Sequence, residues 1–285
     1  MAIDTIGTNA IANDAVTAAK IPAGAVDADI TAIPDGSVTT VKLADDAITG
    51  AKLANNIGAL RNIQRFTSSG TYTPTSGTKH IHVIITGGGA SGGSYNTTPN
   101  ANTVFHAGGG GAGGTRFGYL QGIDASSYTA TITIGAGGAG AQASNGGGDS
   151  TYNDGTRTLV GSGGAVSIRD SNTVVGGTRG GNGGGTSSTG TWTLSYGHSG
   201  GPGGNGFGVQ ESVGVIGGEG GTSFWGGGGC GEAISSTQTR AGTNAPGNND
   251  GAGGGAAVGH RASGSIMDKV AGHGNDGVCV IYEYV

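Results

Sequence analysis

Glycine in this chain is gathered into short runs, and this clustering restricts the possible folds more than any other feature. Gly87–Gly93 reads GGGASGG, Gly108–Gly114 GGGGAGG and Gly135–Gly140 GAGGAG. Gly176–Gly185 (GGTRGGNGGG), Gly200–Gly208 (GGPGGNGFG) and Gly226–Gly231 (GGGGCG) continue the theme, and 67 of the 285 residues are glycine. Ordering so much glycine is entropically costly. A folded chain tolerates it where backbones must pack more closely than a Cβ allows. The runs therefore point to a scaffold of packed backbones that displays loops, and away from an ordinary enzyme core.

Glycine and proline together exceed a quarter of the chain, a content that by itself suggests disorder. The segments between the runs argue for a folded chain: His80–Thr86 (HIHVIIT), Tyr128–Ile134 (YTATITI) and Val278–Val285 (VCVIYEYV) are aliphatic and aromatic, and only 11% of residues are charged. Proline is scarce and glycine lacks a strict period of three, which excludes collagen. A formal charge of −5 without a basic cluster disfavours nucleic acid and anionic membrane as partners. No stretch reaches the ~18 apolar residues of a membrane span. The opening MAIDTIGTNA lacks the regions of a signal peptide, so assembly in a cytoplasm is expected. Cys230 and Cys279 lie 49 positions apart, outside any metal-ligand pattern. Two buried thiols are expected, with a disulfide formed after release from the cell as the alternative.

The first 58 residues repeat. Aliphatic side chains fall every five positions at Ile6, Ile11, Val16, Ile21 and Val26, and again at Val38, Leu43, Ile48 and Leu53. A period of five fits neither a lone helix nor a strand. One large apolar residue per unit is too little for a private core. The segment is expected to wind around copies of itself as an intertwined stalk, a trimer. A pentapeptide-repeat β-helix within one chain is the alternative.

The decapeptides AVTAAKIPAG, SVTTVKLADD and AITGAKLANN resemble repeats in the shafts of bacteriophage tail fibres. The stretch from Phe66-Thr-Ser-Ser-Gly-Thr-Tyr-Thr-Pro74 through Lys79–Gly89 is similar to the opening of the glycine-rich domain of phage fibre and adhesin proteins. Thr129–Gly140 (TATITIGAGGAG) and Gly274–Val285 (GNDGVCVIYEYV) fit the same family. The resemblance implies a virion fibre protein anchored to other virion structural proteins through its N-terminal repeat. It also implies a bacterial surface receptor, an outer-membrane protein or a glycan, as partner. In a related adhesin, glycine-rich runs form a sandwich of polyglycine II helices whose end loops touch the receptor. This chain departs from that adhesin in carrying its own stalk repeat.

The expected fold is mainly β and irregular: a repeat-built homotrimeric fibre stalk over 1–58, then a glycine-rich head over 59–285. The head combines a small β base with packed polyglycine II helices, which rise about 3.1 Å per residue and have no internal hydrogen bonds. Base strands are expected in Asn62–Thr73, His80–Thr86, Tyr128–Ile134 and Val278–Val285. Alternation in Lys79–Ile85 sets Ile81, Val83 and Ile85 on one face and His80, His82 and Ile84 on the other. Ten runs alternating away from the base and back put five connections outward: Ser94–Ala107, Ala141–Ser144, Ala165–Val175, Val209–Ile216 and Glu232–Asp250. Loops on a rigid scaffold are the usual seat of binding. The candidate receptor-binding residues are Tyr95, Asn96, Asn100, Asn102, Phe105 and His106, then Arg169, Asp170, Asn172, Gln210 and Glu211. Gln238, Arg240, Asn244, Asn248 and Asn249 complete the set. Trp192, Tyr196, Phe207, Phe224 and Trp225 are assigned to packing near the base or between subunits.

No catalytic site and no cofactor are expected. The glycine runs lack the Lys-Ser/Thr of a phosphate loop, and the sparse carboxylates show no glycosidase pairing. His80 and His82 are weak metal candidates, since three such pairs on a threefold axis could supply six nitrogens. A structural fibre or head decoration protein whose loops bind nothing specific is the rival reading.

Overall fold

The computed structural model describes residues 58–97, 103–140, 145–172, 176–209, 214–235, 239–261 and 267–285. The stalk repeat lies outside the described residues. Among the described residues there is no helix, and the strands form small open antiparallel sheets with no closed barrel.

Two five-stranded sheets make the proximal end. The first has the order β1 (Leu60–Phe66), β20 (Val278–Tyr284), β3 (His80–Thr86), β6 (Thr115–Gln121) and β13 (Leu194–His198). The second runs β12 (Thr186–Thr189), β9 (Thr158–Gly161), β8 (Ser150–Asn153), β7 (Ala130–Thr133) and β2 (Gly70–Tyr72). Ile81, Val83 and Ile85 of β3 face the second sheet, as the alternation implied, and share a core with Tyr72, Ile132, Tyr152, Leu159 and Ile281. Glu283 is buried in this core. Its Oε1 accepts hydrogen bonds from Tyr72 Oη (2.9 Å), Gln64 Nε2 (2.9 Å) and Thr75 N (3.2 Å), tying β20 to the first two strands. The base is thus larger than the four segments expected from sequence. The additional strands are β6, β13, β8, β9 and β12; the last three have only four residues each, and β8 and β12 are rich in Ser and Thr, so their apolar content hardly marks them.

Three smaller sheets make the distal end. One has the order β10 (Arg169–Asn172), β5 (Thr103–Ala107), β18 (Val258–Arg261) and β17 (Thr239–Arg240). Another has β11 (Gly176–Thr178), β14 (Gly206–Val209), β15 (Gly214–Ile216) and β16 (Ala233–Ile234). The third pairs β19 (Met267–Lys269) with β4 (Tyr95–Thr97).

Extended runs without strand pairing join the two ends, and the run 108–114 shows how they are held. Its N–H groups turn to three neighbours in rotation. Gly109 and Ala112 donate to Gly204 and Gly201 (2.9 and 3.0 Å), Gly110 and Gly113 to Gly254 and Gly251 (2.9 and 2.8 Å), and Gly111 and Gly114 to Ala165 and Ser162 (3.1 and 2.9 Å). Its carbonyls accept from three further runs: from Gly87 and Ala90, from Gly181 and Gly184, and from Gly221. Six runs therefore surround this one, with a hydrogen-bond repeat of three residues along the chain. Buried peptide groups must be paired, and here nearly every partner lies in another run.

The hydrogen-bond registers also fix direction. Runs 87–94, 134–140, 162–168, 199–205, 227–232 and 252–257 lead outward, and runs 108–114, 145–149, 179–185, 217–222, 241–246 and 270–277 lead back. The sequence marked ten runs, and twelve lie among the described residues. The two unmarked ones, 241–246 (AGTNAP) and 270–277 (VAGHGNDG), hold one and three glycines. Asn244, Val270 and His273 on them are exposed, so these runs tolerate side chains that an enclosed run could not. Both cysteines are free. Cys279 is buried in the base core, whereas Cys230 is exposed on an outward run, so the expectation of two buried thiols holds for Cys279 alone.

A Cβ built on Gly109 would lie 1.8 Å from the carbonyl oxygen of Glu219, and one on Gly185 meets nothing within 4 Å. Gly109→Ala is expected to cost about 2 kcal/mol or more, because a backbone oxygen cannot swing aside, lowering the thermal midpoint by at least about 4 °C. Gly185→Ala should stay within about 1 kcal/mol of the parent. Calorimetry of the two variants side by side checks this. Burial pushes the Cys279 thiol well above its ordinary range. A thiol reagent should therefore modify Cys230 alone in the native protein and both cysteines in denaturant, read by mass spectrometry.

Candidate recognition surface

The alternation of runs delivers six connections to the distal end, and five of them are built on strand pairs. Their footing is apolar. Tyr95 of β4 stacks on Phe105 of β5 with ring centroids 4.9 Å apart, above Ala257, and its hydroxyl donates to the Val258 carbonyl. Val104, Val215, Ile234 and Val258 form a second cluster that joins the two four-stranded distal sheets. Each connection is thereby fastened to the array below it.

Above this footing, the outer face of the β11-β14-β15-β16 sheet is apolar and open. Phe207 and Ile216 are cross-strand partners, exposed by 48% and 56%, and Ile216 in turn faces Ala233. With Val209, Gly214 and Ser235 they line a groove of about 480 Å³. Arg240 of β17 and Glu232 form an ion pair at 3.6 Å, with the arginine side chain half exposed. Apolar area flanked by a paired charge suits contact with another macromolecule.

The candidate contact residues fall into five groups. Tyr95, Phe105 and His106 are buried, so in this chain they carry the surface without forming it. His106 Nδ1 lies 3.3 Å from the Thr178 hydroxyl beneath the strands. Asn96 sits on β4 opposite Asp268, while Arg169, Asp170 and Asn172 sit on β10 opposite Ala107, His106 and Val104. Arg240 is exposed at the distal end. Asn100, Asn102, Gln210, Glu211 and Gln238 lie outside the described residues, as do the segments 98–102, 141–144, 173–175, 210–213, 236–238 and 262–266.

Asn244, Asn248 and Asn249 are placed differently from the sequence reading. Asn244 lies within the returning run 241–246, where its Oδ1 accepts from the His273 N–H (2.9 Å). Asn248 and Asn249 occupy the turn at the proximal end, where Asn249 Nδ2 donates to the Gly227 carbonyl (2.7 Å) and the adjacent Asp250 pairs with Arg65 of β1 (2.6 Å). The cause is the unmarked run 241–246, which reverses every direction after it. The same reversal reveals an outward connection that sequence reasoning missed, from β18 to β19. The glycines of Gly272-His-Gly274 and Gly277, just before the closing strand, were the available signal.

Phe207 likewise belongs to the distal surface, away from the base. Trp192, Tyr196, Phe224 and Trp225 do pack at the base: Trp192 on its core, Tyr196 flat on Phe117 at 4.5 Å, and Phe224 edge-on to Phe117 at 5.2 Å. Trp225 Nε1 donates to the Thr86 hydroxyl.

The histidine pair is on the proximal sheet. His80 stacks on Tyr119, and His82 lies against Phe117 and Tyr282, with ring centroids 6.1–6.4 Å apart. Among the described residues no third His, Cys, Asp or Glu completes a metal-sized group with them.

The features together define an all-β glycine-rich protein, with sheets at both ends of a backbone-bonded array. The family model described as a glycine-rich domain matches residues 66–284, and the chain belongs to that family. No curated protein matches the chain.

Burial holds the His82 imidazole below its ordinary value, so the neutral ring is the one the fold accommodates. The unfolded chain then binds the extra proton first. The contribution of His82 is complete above pH ~6.5 and declines as pH falls toward the lowered folded value. His82→Gln is expected to flatten the fall in thermal midpoint between pH 7 and pH 5, measured by circular dichroism.

Proposed function

We propose that this chain is a bacteriophage virion fibre protein, a tail-fibre adhesin that binds a receptor on the bacterial surface. Residues 1–58 would form a homotrimeric stalk that also attaches to other virion proteins. Residues 59–285 would form a receptor-binding head whose glycine runs are polyglycine II helices. The receptor is an outer-membrane protein or a glycan, held by non-covalent contacts and without catalysis.

One observation carries the reading. Six outward connections, rich in side chains, converge on one end of an array whose interior is almost entirely backbone. The hydrogen-bond repeat of three residues and the sixfold surrounding of run 108–114 are what a threefold glycine helix would produce. A rigid array loses little entropy on binding. Several heads on one fibre would multiply weak contacts. The N-terminal decapeptides supply the link to phage fibres. The exposed Phe207–Ile216 pair gives the head an apolar contact that its loop amides alone would lack.

The test is adsorption competition. Purified chain at saturating concentration is expected to block adsorption of the parent virus to its bacterium. Phe207→Asp with Ile216→Asp should weaken the block at least tenfold while leaving the thermal midpoint within about 2 °C, since both side chains are exposed. Unchanged adsorption in the presence of folded wild-type oligomer would instead support a structural fibre or decoration protein.

A further inference from the structure

The first proximal sheet carries large apolar and aromatic side chains on both faces. One face is the sandwich core. On the other, register places Leu60 and Ile63 of β1, Tyr282 and Tyr284 of β20, Tyr119 of β6, and Leu194 and Tyr196 of β13, with the titratable His80 and His82 of β3 among them and Gln121 and His198 toward the strand ends. Strands that are apolar on both sides belong to sheets covered on both sides. Part of this cover comes from the chain itself, where Phe224 packs edge-on to Phe117 and Trp225 donates to the Thr86 hydroxyl. The remainder is open: Leu60, Ile63, Leu194 and Tyr196 are exposed by 52, 49, 57 and 48%. Among the outward register positions there is no carboxylate, and the one permanent charge, Arg65, is already paired with Asp250.

We infer that this open face is an interface between copies of this chain, resting on the homotrimer proposed above. Where the undescribed segment joins the head decides between occupants. Residues 1–57 meet the head at Gly58, whose N–H bonds to the Val285 carbonyl at 2.9 Å and whose backbone lines the groove with Leu194, Tyr196 and Tyr284. Gly58 has φ +79°, a left-handed turn that favours glycine, and a Cβ there would meet nothing within 4 Å. The tether thus ends on the rim of a groove of about 380 Å³. Copies gathered through residues 1–57 are held by this corner, so the effective concentration of one face at another is high. With its Asp250 carboxylate neutralised by Arg65, the face meets another without the repulsion expected of chains carrying −5 each. An apolar face this extensive is unusual on a monomer and usual at a subunit contact.

The test places a photo-crosslinker in the full chain, Leu194→p-benzoylphenylalanine, with Ile216→p-benzoylphenylalanine on the distal sheet as control. Both positions are exposed, so neither replacement disturbs the core. Irradiation of the Leu194 variant is expected to give chain-to-chain product at least tenfold above the control, with the crosslink mapping to residues 58–285 of another copy. A native mass that is a multiple of 27.2 kDa, with crosslinks only into residues 1–57 or none, would overturn the interface and leave the trimer standing. A monomeric native mass would overturn both. Adsorption competition reads the receptor assignment separately from either result.

Discussion

The structure depends on hydrogen bonds between runs that have no hydrogen bonds of their own. An α-helix satisfies its peptide groups within one segment, and a strand satisfies them with two neighbours in a plane. A run such as 108–114 sends its N–H groups to three neighbours and takes bonds at its carbonyls from three more. No single run or pair of runs can be stable alone, because most of its peptide groups would be unpaired on leaving water. The array must form as a body. Its spacing is set by the absence of Cβ atoms, since a methyl group on Gly111 would lie 2.0 Å from the Asn182 carbonyl oxygen. Sheets at both ends follow from this requirement. The runs cannot fix their own register along one another, whereas β3, β6 and β20 at one end and β5, β14 and β18 at the other can.

How much of this was legible in the sequence depended on where glycine is obligatory. Enclosed runs such as 87–94 and 108–114 must be almost free of side chains, and they stand out at a glance. The edge run 241–246 may carry Thr243, Asn244 and Pro246, so it looks like a loop. Missing it moved Asn248 and Asn249 to the wrong end of the molecule, because direction in an alternating array is a matter of parity. The base strand β3 was legible face by face. The strands β8, β9 and β12 were not, since each is four residues long and buries little beyond Ser150, Tyr152 and Leu159.

The candidate surface was legible by place more than by residue. Aromatic and amide side chains between runs marked segments around 95–107, 169–175 and 209–216 whose described residues lie at the distal end. Composition could not say which of those side chains point inward. β5 lies between β10 and β18, and Val104, Phe105 and His106 are all buried there, so alternation is lost. In β14, glycine removes the inward-facing side chain: a Cβ on Gly208 would strike His106 and Val104, and Phe207 is left to face outward. The residue that sequence assigned to packing is therefore the one that makes the distal surface apolar.

A scaffold bonded through its backbone separates stability from recognition more completely than one bonded through side chains. In an ordinary core, a changed loop pulls on the packing beneath it. Here most bonds between runs join backbone to backbone, with side chains such as Ser91, Asp149 and Asn244 supplying a few, and the small distal clusters around Phe105 and Val258 fasten the connections above the array. Exchange of an outward connection leaves the registers of 108–114 and its six neighbours unaltered, provided that the number of runs stays even and the chain returns to β20. The proximal face is under the opposite constraint. Tyr284 and its neighbours sit on strands such as β3 and β20 whose other faces build the base core, so the backbone that presents this surface is fixed even where its side chains are exposed. The connections at one end can thus be exchanged apart from the array, whereas the strands at the other are tied to the base core.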